Sequence, residues 1–544
     1  MGQYTVQQAG AVALAVLVVG STLIGPATAA VPLLGERGTE DPAVIEYTVD
    51  GEPYDSYLVT LDQNATDSLR TWANATEAHH LIDTYPEHDM AVVAAPAAQI
   101  QDIGIWGDGL SLSTAERVQA LAGSVVTEQL IDESYVVRVE PNYRVSVDRP
   151  EAVTWGEFEP PTVGRLAYND PKHPLDGIAF DGEADRGTIN ESREHINATT
   201  VSATGDDITI AVIDTGANVA DGELFGNGSS GSAIRLTNDS YDYVEDESVD
   251  ATADDYEAVE DPNGHGTWVA AAIAANHSDS EFDGVAPDAT LTVKRALDED
   301  GSGSTADIVA AIRDAAAEGA DVISMSLGSP LYSAELERAV QNATEQGSVM
   351  VIAAGNSRIT RGANIGSPAD VDEPGVLTVA STSVDNATAA NVSYFSQVGP
   401  DPGTEDVSDG ASQGATPDVA APGQNITVKV TTVNGGLENS TLSGTSMATP
   451  QVAGGVGVAL AANATLADQD PGEIETATKQ SAVAMPNAAA VEVGHGQVDV
   501  ATLADGRRPL IKQRKNMDDA ATQRDRFYRA ESDASGGVLA RLLS

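Results

Sequence analysis

Along the middle of the chain, short continuous apolar runs alternate with segments whose apolar residues recur every three or four positions. Ile208 to Ile213 (ITIAVI), Val322 to Ser326 and Val349 to Ala353 are short and almost uniformly apolar, so each predicts a strand buried on both faces. Asp307 to Glu318 (DIVAAIRDAAAE) and Ala334 to Gln346 carry an apolar stripe at helical spacing. Trp268 to Ala275 and Ala448 to Ala462 are rich in alanine and other small residues, which predicts tightly packed helices despite the glycines in the second. Strands alternating with helices predict an α/β fold with a doubly wound, mainly parallel sheet.

The region before residue 150 has another rhythm. Strand-like runs at Tyr57 to Leu61, His80 to Thr84, Met90 to Ala95 and Tyr135 to Glu140 are interleaved with helical patterns at Asp67 to Ala75 and Thr114 to Ala122. This β-α-β-β-α-β order predicts a small ferredoxin-like α/β sandwich with Pro96 to Ser113 inserted. Ahead of it, residues 9 to 25 form an apolar run followed by Pro26-Ala27-Thr28-Ala29-Ala30, small residues of the kind that precede signal cleavage. No Lys or Arg precedes the run, and its length approaches that of a short membrane span, so it reads as a signal peptide or a retained signal anchor. Either predicts export.

Candidate chemistry gathers at the edges of these elements. Asp214 ends the strand-like run Ile208 to Ile213 and is followed by Thr215-Gly216. His265, within Asn263-Gly264-His265-Gly266-Thr267, opens the helix that continues through Trp268. Ser446, within Leu442-Ser443-Gly444-Thr445-Ser446-Met447-Ala448-Thr449-Pro450, opens the small-residue helix, where free N–H groups and the helix dipole favour developing negative charge. Taken singly, each has a structural explanation: a cap or Asx turn, a loop histidine, a helix cap. Together they supply an orienter, a general base and a nucleophile.

With these motifs the chain resembles the subtilisin-like serine proteases, the subtilases. The order Asp, His, Ser at positions 214, 265 and 446, with separations of 51 and 181 residues, suits that family. The resemblance covers about Ile208 to Val500. It implies that Ser324, Ser326, Leu327 and Gly328 belong to the strand that pairs with extended substrate and borders the specificity pocket. It also implies that Asn356, after Ala353-Ala354-Gly355, donates to the oxyanion, and that Val419 to Gly423 is the strand and turn before the nucleophile segment. The fold implied is subtilisin-like, preceded by a propeptide domain whose last strand resembles Val137 to Asn142 and which would assist folding and block the active site. Tyr168-Asn169-Asp170-Pro171 resembles the start of a mature subtilase, so maturation is expected between about Arg149 and Tyr168. Gly494 to Asp499 resembles the Gly-rich closing segment of the catalytic domain, with His495 structural. Trp268 and Ala271 depart from the family pattern, which commonly has His and Gly there, and imply repacking near the site.

Charge narrows the partners. A formal charge of −55 with a pI near 4.1 makes nucleic acid and anionic membranes poor partners. Six lysines in 544 residues, many carboxylates and few aromatics resemble a protein adapted to high salt, where screening removes self-repulsion. The absence of Cys excludes disulfides and thiol catalysis. Thirteen Asn-x-Ser/Thr sequons are compatible with a glycosylated surface protein. The acidic stretch Tyr241 to Asp261 reads as a solvated surface loop, with calcium coordination the sharper alternative; it lacks an Asp-x-Asp-x-Asp-Gly spacing. No cofactor is required for the chemistry, and structural calcium is left open.

The expected organisation is thus a signal or anchor over 1–30, a propeptide-like domain over 53–148, a maturation linker over 149–205, a catalytic domain over 206–504 and a basic tail over 505–544. The tail carries nine Lys or Arg against six acids, so membrane contact is confined to it and the N-terminal segment. The expected partners are protein or peptide substrates and the chain's own propeptide. Two other readings stand beside the secreted endopeptidase: an anchored processing protease of narrow specificity, and a catalytically silent binding protein.

Overall fold

The computed structural model describes residues 44–49, 52–62, 65–75, 79–95, 135–147, 178–179, 186–218, 239–248, 259–277, 280–358, 365–384, 391–399, 415–431, 437–485 and 488–506. The apolar run at 9–25, the helix expected at 114–122, the maturation stretch from Arg149 to Tyr168 and most of the basic tail lie outside them. The chain divides into two compact units, Met1–Arg144 with Ser304–Ala306, and Val145–Gly303 with Asp307–Ser544.

The first unit contains β1 (Glu46–Val49), β2 (Glu52–Leu61), α1 (Thr66–Ala73), β3 (His80–Tyr85), β4 (Met90–Ala95) and β5 (Val136–Pro141). The long strand β2 is its centre: β4 runs antiparallel along one edge, while β1 and β5 share the other, and β3 completes the sheet beside β4. Alternation along β2 sends Tyr57, Val59 and Leu61 to one face, where they pack with Ala91, Val93, Val139 and Leu69 of α1. Glu46 lies directly opposite Asp55 in the β1–β2 ladder, a like-charge pair.

The second unit follows through β6 (Arg144–Ser146), β7 (Ile178–Ala179), β8 (Gly187–Thr188), α2 (Ile189–His195), β9 (Thr209–Asp214), β10 (Tyr241–Asp242), β11 (Glu247–Ser248), α3 (His265–Ala274), β12 (Thr290–Arg295), β13 (Ser302–Ser304), α4 (Thr305–Ala317), β14 (Val322–Met325), α5 (Ala334–Glu345) and β15 (Val349–Ala353). It continues through β16 (Val376–Thr382), β17 (Val392–Ser393), β18 (Val419–Pro422), β19 (Ile426–Thr431), β20 (Leu437–Leu442), α6 (Thr445–Ala462) and α7 (Pro471–Ser481). Parallel pairings run β10-β12-β9-β14-β15-β16, with β18 also parallel to β16; β11 and β17 add antiparallel strands. The continuous apolar runs are the strands of this sheet, buried along β14, β15 and β16.

Two helices are enclosed on all sides. Every residue of α3 is buried, as is α6 from Thr445 to Leu460, which is why neither shows a polar face in the sequence. Small residues let α6 approach its neighbours: a Cβ at Gly454 would stand 2.9 Å from the Val285 Cβ. Of the acidic stretch Tyr241 to Asp261, residues 241–248 and 259–261 are described, and Glu245 to Ser248 are exposed as a solvated loop would be. Its first residues form β10 and β11 at the sheet edge, Asp242 is buried against Arg295 at 2.5 Å, and Asp261 is fully buried. No helix among the described residues is long and apolar enough to cross a membrane.

Candidate active site

The carboxyl ends of the neighbouring parallel strands β9, β14 and β15 supply Asp214, Ser326 and Asn356, the place where open α/β sheets leave room for ligands. Asp214 is fully buried as the last residue of β9, and its Oδ1 lies 2.8 Å from His265 Nδ1. The same oxygen accepts from the Thr215 N–H at 2.8 Å and the Thr215 hydroxyl at 3.3 Å. A carboxylate that only accepts fixes the proton on Nδ1 and leaves the Nε2 lone pair free. His265 is the first residue of α3 and is 5% exposed. The loop and helix meet so closely that a Cβ on Gly266 would stand 2.1 Å from the Gly216 carbonyl oxygen, so this Gly is required by space.

Asp261 completes this half of the site, and its chemistry is invisible in an acidic run. Its Oδ1 accepts from the N–H groups of Asn263 (3.0 Å) and Gly264 (2.8 Å), its Oδ2 from the N–H and hydroxyl of Thr267 (2.7 Å each). Asn218 binds the Asp261 backbone reciprocally, and its own N–H donates to the Thr267 hydroxyl. Burial pushes the Asp261 carboxyl up, and the hydrogen bonds from Thr267 and Gly264 act against that shift.

The nucleophile half is neutral. Ser446, 3% exposed, is the second residue of α6, where helix geometry leaves its backbone N–H without an intrahelical acceptor. Its hydroxyl donates to the Ser326 carbonyl at 3.3 Å. Pro450 has no N–H to offer the Ser446 carbonyl one turn back, and the Ser326 hydroxyl donates to that carbonyl instead, at 3.0 Å. Asn356 Oδ1 accepts from the Thr445 N–H (2.7 Å) and hydroxyl (3.0 Å). That assignment of the amide, fixed by two donors, turns Nδ2 the other way, next to Gly444 and the α6 N-terminus.

One cleft is lined by Ser446 and Asn356 together with Ser326, Leu327 and Gly328. Ser324 sits inside β14, fully buried, two residues before Ser326. Ser146 also lines the cleft, bridging Gly328 antiparallel through two N–H···O bonds of 3.0 Å each; the Val147 N–H donates to the Gly301 carbonyl at 2.9 Å. Trp268 is fully buried and donates through Nε1 to the Ser440 carbonyl at 3.2 Å. Among the described residues, no group of three or more His, Asp or Glu side chains could hold a metal ion.

Comparison with known proteins gives this site its context. Residues 205–508 match the model of the subtilase family. The chain is 36% identical over 253 residues to the major intracellular serine protease of Bacillus subtilis, covering 46% of this chain and 67% of that protein. It is 38% identical over 197 residues to subtilisin Savinase of Lederbergia lenta, covering 36% and 63%. Over 246 residues it is 35% identical to a thermophilic serine proteinase of a Bacillus species, covering 45% of this chain and half of that protein. Fervidolysin from Fervidobacterium pennivorans, a keratinolytic enzyme related to subtilisin, superposes with a TM-score of 0.56 at 22% identity, over 85% of this chain and 62% of that one, a likeness of fold. Since the family match takes in more than half of the sequence and includes Ser326, Asn356 and Ser446 of the cleft, the chain belongs to the subtilase family and is a serine endopeptidase.

Proposed function

We propose that Asp214, His265 and Ser446 form the catalytic triad and that Asn356 Nδ2 and the Ser446 N–H form the oxyanion hole. The observation that carries this reading is the 2.8 Å bond between His265 Nδ1 and buried Asp214, with Ser446 and Asn356 together lining one cleft. His265 Nε2 takes the Ser446 proton as Oγ attacks the peptide carbonyl, and the carbonyl oxygen becomes an oxyanion facing the two donors. His265 then gives that proton to the departing amine. Water repeats the sequence on the acyl-enzyme. Asp214 holds the imidazole's tautomer and stabilises its charged form.

The same reading extends to the chain as a zymogen. The antiparallel strand order β5-β2-β4-β3 of the first unit suits a propeptide, and the pairing of Ser146 and Val147 with Gly328 and Gly301 is the pairing an extended substrate would make. We read the N-terminal run at 9–25 as an export signal or anchor, and the net charge of −55 as adaptation to high salt. The test is casein hydrolysis by wild type and Ser446→Ala at low and near-saturating salt, with N-terminal sequencing of the product. Cleavage by wild type only, in high salt only, with a new N-terminus between Arg149 and Tyr168, is the expected result. Activity of Ser446→Ala, or inactivity of folded wild type at every salt concentration, overturns the reading.

A further inference from the structure

We propose that Asp261 is a positioning residue for the general base: its carboxylate sets the N-terminus of α3 and places a negative charge beside His265. The inference rests on the reading of His265 as the base.

Two observations carry it. The first is geometric. Asp261 accepts from Asn263 and Gly264 on one side of His265 and from Thr267 on the other, so a single buried side chain brackets the histidine's backbone. Through Thr267 and Asn218 the bracket continues to the loop after β9, the strand that ends in Asp214. The Gly266 N–H donates to the Thr215 hydroxyl at 2.9 Å, closing a second link between the two catalytic segments. The 2.8 Å contact between His265 and Asp214 is thus held by bonds to backbone, independently of either side chain.

The second is electrostatic. His265 is the first residue of α3, at the positive end of a ten-residue helix. Three of the four donors to Asp261 are backbone N–H groups, which can only donate and so favour the ionised carboxylate. That charge offsets the helix terminus within its first turn. The other charged groups on elements packed against α3 are otherwise engaged: Asp214 on β9 bonds His265 directly, Lys294 and Arg295 on β12 pair with Glu318 and Asp242, and Lys429 on β19 lies over the Phe282 ring. Helix α6 contributes no charged residue.

The test compares Asp261→Asn and Thr267→Val with wild type and His265→Ala, using the full chain in high salt, a short peptide substrate and active-site titration. Asp261→Asn keeps the size of the group but replaces one acceptor oxygen with a donor. It is expected to lower kcat at least about tenfold with KM within about twofold, since small displacements of a catalytic group are costly. The acid limb of its kcat/KM profile is expected to move to lower pH, a shift that general loosening of the fold would not produce. Thr267→Val removes one donor and spares the carboxylate; it is expected to shift kcat in the same direction by a smaller factor, and it decides the matter if Asp261→Asn does not fold. An unchanged kcat and acid limb, in Asp261→Asn if folded and otherwise in Thr267→Val, overturns the inference. Activity in His265→Ala would instead overturn the reading beneath it.

Discussion

The two units treat their carboxylates in opposite ways. In the catalytic unit, Asp214 and Asp261 are fully buried and each is given donors, three hydrogen bonds to one oxygen of Asp214 and four shared between the oxygens of Asp261. In the N-terminal unit, Asp55 faces Glu46 across a β-ladder, and burial, with Glu46 adding to it, pushes its carboxyl up to about 6. A buried carboxylate with donors can be held in one place and used. One opposed by a second acid makes its surroundings depend on pH. The contrast assigns chemistry to the second unit and conditional stability to the first.

The comparison breaks most completely at the nucleophile. Ser446→Ala should lower kcat by about a millionfold, a figure taken from subtilisin itself rather than from this geometry, measured on a chromogenic peptide. Appreciable residual activity would mean that the catalytic unit does not carry the chemistry through Ser446. Next in size is Asn356→Ala. It should lower kcat about 10²- to 10³-fold with little change in KM, again the subtilisin magnitude, because the Nδ2 donor meets charge that exists only in the transition state. A change confined to KM would make Asn356 a ground-state contact.

A smaller effect sharpens the N-terminal side. The folded pKa of Asp55 lies above its ordinary 3.8, so the folded unit holds this proton more tightly than the unfolded chain. The stabilisation is therefore fully present below pH 3.8 and is lost as pH rises through about 6. Hydrogen exchange of the β2 backbone in full-length Ser446→Ala should accelerate across that window beyond the intrinsic pH dependence of exchange, and Asp55→Asn should remove the excess. Equal behaviour of the two would place the acid pair outside the unit's energetics. Smallest of all, Val137, 57% exposed on β5, should tolerate Val137→Thr within about 0.5 kcal/mol of stability by denaturant melting.

Much of the catalytic unit was legible in sequence because buried parallel strands and enclosed helices leave no polar face. ITIAVI is strand β9 to within a residue, and the small-residue run after Ser446 is α6. His265 and Ser446 were legible as residues at helix mouths, since the turn chemistry of Gly264 and Gly444 is local. Asp261 was missed because an acidic run offers no way to tell a solvated carboxylate from a satisfied buried one.

By itself, then, the sequence determined the alternation of elements, the order of Asp214, His265 and Ser446, and the net charge, all properties of neighbouring residues or of sums over the chain. Tertiary structure alone decided which oxygen of Asp214 meets Nδ1 of His265, that Asn356 is oriented by Thr445, and that Ser326 takes up the carbonyl freed by Pro450. These are contacts between residues 51, 89 and 120 positions apart, and only the closing of the sheet brings them within reach of a hydrogen bond.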